Sequence, residues 1–305
     1  MEPVVGRVLR SQSGHVRVRT ERALLACRMR GRLKQGKART DLVVIGDLVE
    51  VTEIEGSPGE GIIERVRPRR NRFARRQPGS RGRYKEDVLV ANLDWIVAVF
   101  ACGQPPPKAF LIDRFLVLAE LDDIPVALAA NKVDQVGLPE ARRRFGPYEE
   151  LGYPVHYTSA RDGVGLDALR ARLADGVSAF VGPSGEGKSS LLNALDDSLA
   201  LRVADISEAL AKGRHTTRVA ELHPLAGGGW LADTPGIREL AGFRIPPEIL
   251  ADGFPEMRPY LGACRFSDCL HVEEPGCAVR RAVDDGAIRP ARYESYLRQL
   301  RDDER

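Results

Sequence analysis

The 305-residue chain lacks any apolar run long enough to cross a bilayer, so we expect no membrane partner. Residues 1–10 carry charges in a strand-like alternation and lack the pattern of a secretory signal. There are only five cysteines, and Cys27 and Cys102 are isolated. This pattern excludes a secreted disulfide scaffold, and we expect the protein in a reducing cytoplasm. We also expect it to be a monomer.

Acidic residues are scarce in the first part of the chain. Residues 1–87 contain 21 Lys and Arg against 11 Asp and Glu, whereas residues 88–305 contain 25 against 32. Between Arg7 and Arg39, eleven basic residues accompany a single acid, Glu21. The asymmetry indicates that this end of the protein binds a polyanion through its phosphates.

Short segments that alternate apolar and polar residues predict a small β-barrel of the OB type over residues 1–67. Glycines lie between the five predicted strands, which are Val4–Leu9, His15–Arg19, Ala23–Arg30, Asp47–Glu53 and Gly61–Arg67. Together with the basic residues, this barrel is expected to bind RNA. A generic β-module without a ligand is the alternative.

Residues 68–87 lack a hydrophobic period and predict a mobile basic linker. The stretch 67–85 carries nine Lys and Arg and no acid, and Pro68, Pro78 and Gly79 break regular structure. Phe73 and Tyr84 lie among these basic residues, and such aromatic rings stack on unpaired bases in RNA-binding proteins. A solvated hinge that only joins two domains is the alternative.

From residue 88 onward, buried strands alternate with helices. This predicts an α/β domain with a doubly wound, mostly parallel sheet over residues 88–242. Its first strand, Trp95–Phe100, is apolar throughout, as in a strand buried on both faces. Ligands bind such sheets at the carboxyl ends of the strands. The alternation ends after residue 242, and residues 243–305 predict a separate, mostly helical domain.

A phosphate-binding loop is predicted where a strand ending at Val181 leads into a helix. The segment matches G-x-x-x-x-G-K-S, in which backbone N–H groups and a helix N-terminus surround the phosphates. Lys188 is predicted to reach the β- and γ-phosphates, and Ser189 to ligate Mg²⁺. The predicted nucleotide-binding residues here are Gly182, Pro183, Ser184, Gly185, Glu186, Gly187, Lys188, Ser189 and Ser190.

The base is predicted to be guanine. The motif Asn131-Lys132-Val133-Asp134 follows a predicted buried strand. Asp134 can accept two hydrogen bonds, from guanine N1–H and from the 2-amino group. Adenine lacks this pair of donors and would leave the carboxylate unpaired. A second motif, Thr158-Ser159-Ala160, follows one helix later. The two motifs identify GTP or GDP as the ligand, bound by Asn131, Lys132, Val133, Asp134, Ser159 and Ala160.

Further residues are predicted to contact the γ-phosphate and its metal ion. Asp233 follows a short strand and is expected to hold Mg²⁺. Gly236 is expected to sense the γ-phosphate through its amide, and Thr216 and Thr217 are candidates for the other switch contact.

The residue that positions the attacking water is not evident from the motifs. Ile237 stands where Ras-like enzymes carry a water-orienting glutamine, and isoleucine cannot take that role. Either another residue positions the water, with His215 as the candidate, or the protein binds GTP and hydrolyses little of it.

A structural zinc site is predicted near the C-terminus. Three thiols and an imidazole occur within 14 residues, and four such ligands form a closed tetrahedral set without an open position for catalysis. Reduced thiols in a small core are the alternative. The predicted zinc ligands are Cys264, Cys269, His271 and Cys277.

The order of these motifs is the most informative feature of the chain. The guanine motifs precede the phosphate loop, whereas in most P-loop GTPases they follow it. With the segments Gly213–Thr217 and Asp233–Glu239 and the cysteine cluster, this order resembles the circularly permuted, small-ribosomal-subunit-dependent GTPases of bacteria. The resemblance covers essentially the whole chain.

The resemblance implies an N-terminal OB domain, a permuted GTPase domain and a C-terminal zinc domain. It also implies a GTPase that binds rRNA, assists late maturation of the small ribosomal subunit and is stimulated by that subunit. In the family, a hydrophobic residue occupies the position of Ile237, and a histidine matching His215 is the proposed catalytic residue. Glu186 departs from the family, in which this position is small and apolar. A carboxylate there should weaken nucleotide binding unless it points to solvent.

Two other functions remain open. One is a GTPase that acts on tRNA or mRNA, which stimulation by purified small subunits but not by free RNA would exclude. The other is a GTP-regulated RNA-binding protein with little turnover. An ATP-dependent kinase fits least well, because it leaves the segment Asn131–Asp134 unexplained.

Overall fold

The computed structural model describes residues 2–12, 14–30, 43–78, 84–197, 220–234 and 245–303. Its first five strands form the predicted barrel, in the order β1-β2-β3-β5-β4, with β1 also paired to β4. Valine, leucine and isoleucine side chains that alternate along these strands fill the barrel, as period-two patterning requires. The strands are β1 (Val4–Gln12), β2 (His15–Thr20), β3 (Leu24–Met29), β4 (Leu48–Glu53) and β5 (Glu60–Val66).

Two paired strands lie in the region predicted as an irregular linker, so the predicted lack of regular structure was wrong. Strands β6 (Arg72–Pro78) and β7 (Tyr84–Ala91) pair antiparallel. Phe73 is 1% exposed and packs in the main hydrophobic core, so it is not available to stack on a base. The strands were missed because their apolar and polar residues do not alternate regularly. The register shifts between Phe73 and Ala74, which places two consecutive residues in buried positions.

The central sheet has the predicted doubly wound form. Five strands run parallel in the order β10-β9-β8-β11-β13, and β12 pairs antiparallel at the edge. Every residue of β9 and β11 is buried, which agrees with sequences that are apolar except for Asn131 and Ser178. The strands are β8 (Trp95–Ala101), β9 (Val126–Asn131), β10 (Val155–Tyr157), β11 (Val177–Val181), β12 (Glu221–Pro224) and β13 (Trp230–Asp233).

Helices cover both faces of this sheet. Phe115 of α1 (Ala109–Leu121) and Phe145 of α2 (Leu138–Glu150) belong to the core on one face. Leucines of α3 (Leu166–Leu173) and α4 (Lys188–Leu195) form the core on the other. No helix within the described residues has the length and apolar character that a bilayer crossing requires.

The barrel and the central sheet are joined edge to edge, a connection that the sequence did not predict. Strand β1 extends to Gln12 and pairs with β12 through Arg10 and Glu221, whose side chains also lie 3.7 Å apart as an ion pair. The result is one continuous sheet of eleven strands.

The C-terminal segment is mostly helical, as predicted, and lies against α1. It contains α5 (Pro247–Leu250), α6 (Ala278–Asp284), α7 (Pro290–Asp303) and two short 3-10 turns. Tyr296 of α7 is fully buried and meets Phe254 edge to face, with ring centroids 5.6 Å apart. Arg292 of the same helix forms a buried ion pair with Asp113 of α1. The last helix is therefore fixed to the α/β domain by both apolar and ionic contacts.

Candidate functional site

The phosphate-loop segment lies between β11 and α4, in the context its motif requires. Gly182 has φ of 136° and packs so closely on β8 that a Cβ there would lie 2.4 Å from the carbonyl oxygen of Val99. The Lys188 amine donates to the carbonyl oxygens of Gly182 and Pro183, at 2.7 and 2.5 Å. The loop thus curls around the lysine that is predicted to bind phosphate.

The guanine-motif segment begins at the end of β9 and contacts the phosphate loop directly. The buried Asn131 donates from Nδ2 to the main-chain oxygen of Glu186, at 3.1 Å, and accepts from the Thr158 hydroxyl at 3.2 Å. Gly187 allows this approach, because a Cβ there would lie 2.5 Å from Asn131 Nδ2. One asparagine thus connects three segments that are far apart in the chain.

Asp134 and Ser159 lie side by side at the edge of this pocket. The Ser159 hydroxyl donates to Asp134 Oδ1 at 2.7 Å and accepts from the Asp162 N–H at 3.1 Å. Asp134 itself is exposed, while Ser159 is fully buried and Ala160 follows it at the pocket edge. A carboxylate held by one oxygen and open to solvent is suited to accept hydrogen bonds from a guanine edge.

Lys132 crosses the site and contacts the β8–α1 loop, which the sequence analysis did not place in the pocket. Its backbone is left-handed, with φ of 60°, and its amine donates to the carbonyl oxygens of Gln104 and Gly185 at 2.6 and 2.7 Å. The Gln104 N–H in turn donates to Gln135 Oε1 at 2.7 Å. The β8–α1 loop therefore closes one side of the pocket, and only the Gly-Gln-Pro run in that loop could have indicated it.

Nucleotide binding was expected to require a Glu186 side chain that points to solvent. The side chain points into the protein instead. It is 4% exposed and accepts the backbone N–H of Ala101, at the end of β8, at 2.5 Å. Burial raises the pKa of Glu186 above its usual range, although the Ala101 N–H and the nearby Lys132 and Lys188 act in the opposite direction. The carboxyl group is thus turned into the protein and engaged there.

The two predicted Mg²⁺ ligands lie on segments that belong to two neighbouring strands, one in the helix after β11 and one at the end of β13. Ser189 is exposed at the start of α4, and Asp233 ends β13, the parallel neighbour of β11. A hydroxyl and a carboxylate are oxygen ligands of the type Mg²⁺ prefers. Other predicted γ-phosphate and catalytic residues lie outside the described residues: His215, Thr216, Thr217 and Gly236.

The four predicted zinc ligands are gathered at one point. Their ligand atoms all lie within 4.8 Å of one another. The sulfurs of Cys264 and Cys277 are 3.9 Å apart, and each is 3.5 Å from His271 Nδ1. A tetrahedral Zn²⁺ with Zn–S bonds of about 2.3 Å requires sulfurs about 3.8 Å apart. The cluster, completed by Cys269, therefore fits zinc.

Surrounding groups hold this cluster in place. Backbone N–H groups of Ala278 and Arg280 donate to the sulfurs of Cys264 and Cys277, at 3.3 and 3.4 Å. Tyr293 of α7 donates its hydroxyl to the main-chain oxygen of His271 at 2.7 Å. Outer contacts of this kind orient metal ligands.

Comparisons with known proteins agree with this architecture. The family model of the RsgA GTPase matches residues 66–242, and that of the RsgA N-terminal domain matches residues 5–63. The small ribosomal subunit biogenesis GTPase RsgA of Gemmatimonas aurantiaca is 46% identical over 299 residues, which cover 98% of this chain and 96% of that protein.

Solved structures are similar over nearly the whole chain. YjeQ from Thermotoga maritima has a TM-score of 0.77 at 32% identity, with 99% of this chain and 98% of that one covered. YloQ, described as a circularly permuted GTPase, has a TM-score of 0.73 at 28% identity, with 99% and 95% covered. The predicted permuted fold is thereby confirmed, and the chain belongs to the RsgA GTPase family.

Proposed function

We propose that the pocket at the ends of β9, β10, β11 and β13 binds GTP with Mg²⁺ and hydrolyses it to GDP and phosphate. Family membership makes the chain a GTPase, and the proposal adds the individual residues. The observation that carries it is the direct hydrogen bond from Asn131 to the phosphate loop, which brings the guanine motif and the phosphate motif into one site. The residues are those predicted at 131–134, 159–160 and 182–190, with Asp233.

Within this pocket, Asp134 binds the guanine edge while Ser159 fixes one of its oxygens. Lys188 exchanges its two main-chain acceptors for the β- and γ-phosphates when nucleotide binds. Ser189 and Asp233 hold Mg²⁺, which when bound neutralises charge on the phosphates. Thr216, Thr217 and Gly236 remain the proposed contacts to the γ-phosphate.

Hydrolysis requires a residue that positions water, and we assign this role to His215, since Ile237 cannot perform it. Replacing His215 with alanine is expected to lower GTP turnover and to leave nucleotide affinity intact. Unchanged turnover would contradict the assignment. Measuring binding and single-turnover hydrolysis on the same preparation separates the two effects.

The cellular role we propose is late-stage assembly of the small ribosomal subunit, in the cytoplasm and as a monomer. Relatives that match this chain over nearly all its length are named small ribosomal subunit biogenesis GTPases. We take residues 1–67 as the RNA-binding barrel, 68–87 as a basic connection, 88–242 as the GTPase domain and 243–305 as the zinc domain.

The barrel carries a surface suited to rRNA. A groove of about 910 Å³ on the outer face of β2, β3 and β5 is lined by four arginines and one acidic residue, Glu60, together with polar and apolar side chains. Arg10 and Arg30 form ion pairs with Glu221 and Glu64. Guanidinium groups on an OB-type barrel face bind phosphates of single-stranded or folded RNA. The other two arginines are Arg17 and Arg28.

GTP turnover with and without purified small subunits tests the proposed role. We expect the subunits to raise turnover by more than about tenfold, as partner-supplied activation does in other GTPases. Equal stimulation by free rRNA or tRNA would favour a GTPase that acts on other RNAs. Lack of any stimulation would favour a GTP-regulated RNA-binding protein. A Lys188→Ala variant serves as the control without nucleotide binding.

We further propose that the GTP-bound form binds the subunit more tightly than the GDP-bound form, because the segment Asp233–Gly236 leads directly into the zinc domain. Equal affinity of the two forms for small subunits would reject this. One structural Zn²⁺ bound by Cys264, Cys269, His271 and Cys277 completes the proposal, and metal analysis of the purified protein tests it.

A further inference from the structure

Glu186 is the residue of the phosphate loop whose place is least expected. It lies within the loop, yet its side chain turns away from the pocket and accepts the Ala101 N–H at 2.5 Å. Its main-chain oxygen accepts Asn131 Nδ2 at 3.1 Å. One residue therefore connects the phosphate loop to β8 through its side chain and to β9 through its backbone.

The geometry of the sheet explains why Ala101 needs this partner. Cys102 donates its N–H to Asn131 on β9, at 2.6 Å. Consecutive residues of a strand direct their N–H groups to opposite neighbours, so Ala101 faces the β11 side. Strand β11 ends at Val181, where the chain turns into the phosphate loop. The Glu186 carboxyl group thus supplies the acceptor that a longer β11 would have offered.

This contact bears on nucleotide binding because the loop binds phosphates with its backbone. The N–H groups that bind phosphate belong to Gly182 and residues 184–187, because Pro183 has none, and they must point to the same pocket. Ordering a loop in this way costs conformational entropy. A buried N–H without an acceptor is unfavourable, so the bond favours the ordered loop. If the ordered form is only partly populated, the apparent affinity falls by that fraction.

We infer that Glu186 is a positioning residue for guanine nucleotide binding, which holds the phosphate loop against the end of β8 through the Ala101 N–H. The inference rests on the proposed nucleotide site. It replaces the expectation that a carboxylate here opposes binding. The acceptor oxygen is the essential feature, and the charge is not.

Two variants separate these features. Glu186→Gln keeps an oxygen acceptor and removes the charge, whereas Glu186→Met keeps a similar length and removes the acceptor. We expect Kd for a fluorescent GDP analogue to change less than about twofold in the glutamine variant and to rise about tenfold in the methionine variant. KM for GTP should rise with Kd in the methionine variant, and by a larger factor than kcat falls, as expected for a residue that positions the loop.

Amide hydrogen exchange provides a readout that does not depend on nucleotide. The Ala101 amide should exchange faster in the methionine variant than in the wild type and the glutamine variant. Glu55→Met, at an exposed position of the barrel, controls for the substitution itself. Far-UV circular dichroism of each variant establishes that it is folded.

Three results would overturn the inference. They are wild-type affinity in the methionine variant, equal loss of affinity in both variants, and unchanged exchange at Ala101. A loss of folding in the methionine variant leaves the comparison of wild type with Glu186→Gln decisive, because weakened binding there contradicts a role for the acceptor alone. Lys188→Ala tests the nucleotide site separately: if it still binds GDP, the site is wrong whatever Glu186 does.

Discussion

The contact between the last helix and the α/β domain includes one buried cation, Arg292. The side chains of Arg292 and Asp113 are 6% and 1% exposed. Arg292 Nε also lies 2.6 Å from Glu256 Oε1, and its guanidinium is 4.7 Å from the centre of the Phe254 ring. Replacing Arg292 with methionine keeps much of the volume and leaves two buried carboxyl groups without their cation.

Breaking a buried ion pair by removing one partner costs about 3–5 kcal/mol. In a cooperatively unfolding unit of roughly 150–250 residues, each kcal/mol of lost stability lowers Tm by about 2–4 °C. We therefore expect Arg292→Met to lower Tm by roughly 6–20 °C, as measured by scanning fluorimetry. Arg298→Met on the same helix is the matched control: that side chain is exposed and stacks on Phe110 at 4.1 Å. It should cost only about 0.5–1 kcal/mol.

The loss should also depend on pH. Burial raises the pKa of Asp113, while Arg292 and the Tyr148 hydroxyl oppose that rise. Without Arg292 the pKa rises further. A carboxyl group whose pKa is higher in the folded than in the unfolded state costs no stability at low pH, where it is protonated in both states. The free energy of unfolding falls as pH increases through the folded pKa. The difference in Tm between variant and wild type should therefore be larger at pH 8 than at pH 5. A loss no greater than that of Arg298→Met, or one independent of pH, would refute this reasoning.

Three further outcomes are expected. Asp134→Asn should weaken GDP binding by about 10²–10³-fold, as measured by titration calorimetry, because a charged acceptor is replaced by an amide; wild-type affinity would remove Asp134 from the base site. Incubation with a strong chelator should release one Zn²⁺ per chain and lower Tm, and neither effect should occur in a Cys264→Ser variant that already lacks the metal; a wild-type preparation without zinc contradicts the site. The double variant Arg17→Gln and Arg28→Gln should reduce the slope of log affinity for rRNA against log salt by about 1.5. An unchanged slope would place the RNA surface elsewhere.

The sequence predicted most where chemistry requires fixed residue types at fixed places. The segments at Asn131 and Gly182 follow apolar strands, and parallel strands bring their carboxyl ends to one edge of the sheet. Their approach therefore followed from order and periodicity alone. The cluster of predicted zinc ligands was predictable for a similar reason, since four ligands within 14 residues need no distant part of the chain to bring them together.

The remaining features depend on partners that local patterns do not reveal. The pairing of β1 with β12 involves one residue pair, Arg10 and Glu221, and neither segment is distinctive by itself. The side chain of Glu186 bonds to a residue 85 positions away. Charged side chains of this kind were expected to face solvent, because burial is costly unless a hydrogen bond compensates for it. Only the three-dimensional structure shows the compensating N–H.

These contacts form a continuous path between the proposed nucleotide pocket and the C-terminal segment. In the chain, the segment after Asp233 leads from one to the other. In space, the β8–α1 loop contacts Lys132 through Gln104, and α1, which follows it, carries Asp113. Arg292 then connects α1 to the last helix. Helix α1 follows the loop in the chain and packs against α7, so it offers a physical path from the loop to the last helix. Physical contiguity permits coupling, but coupling itself is a free energy, and it becomes established only if Arg292→Met changes the difference in affinity between GTP and GDP.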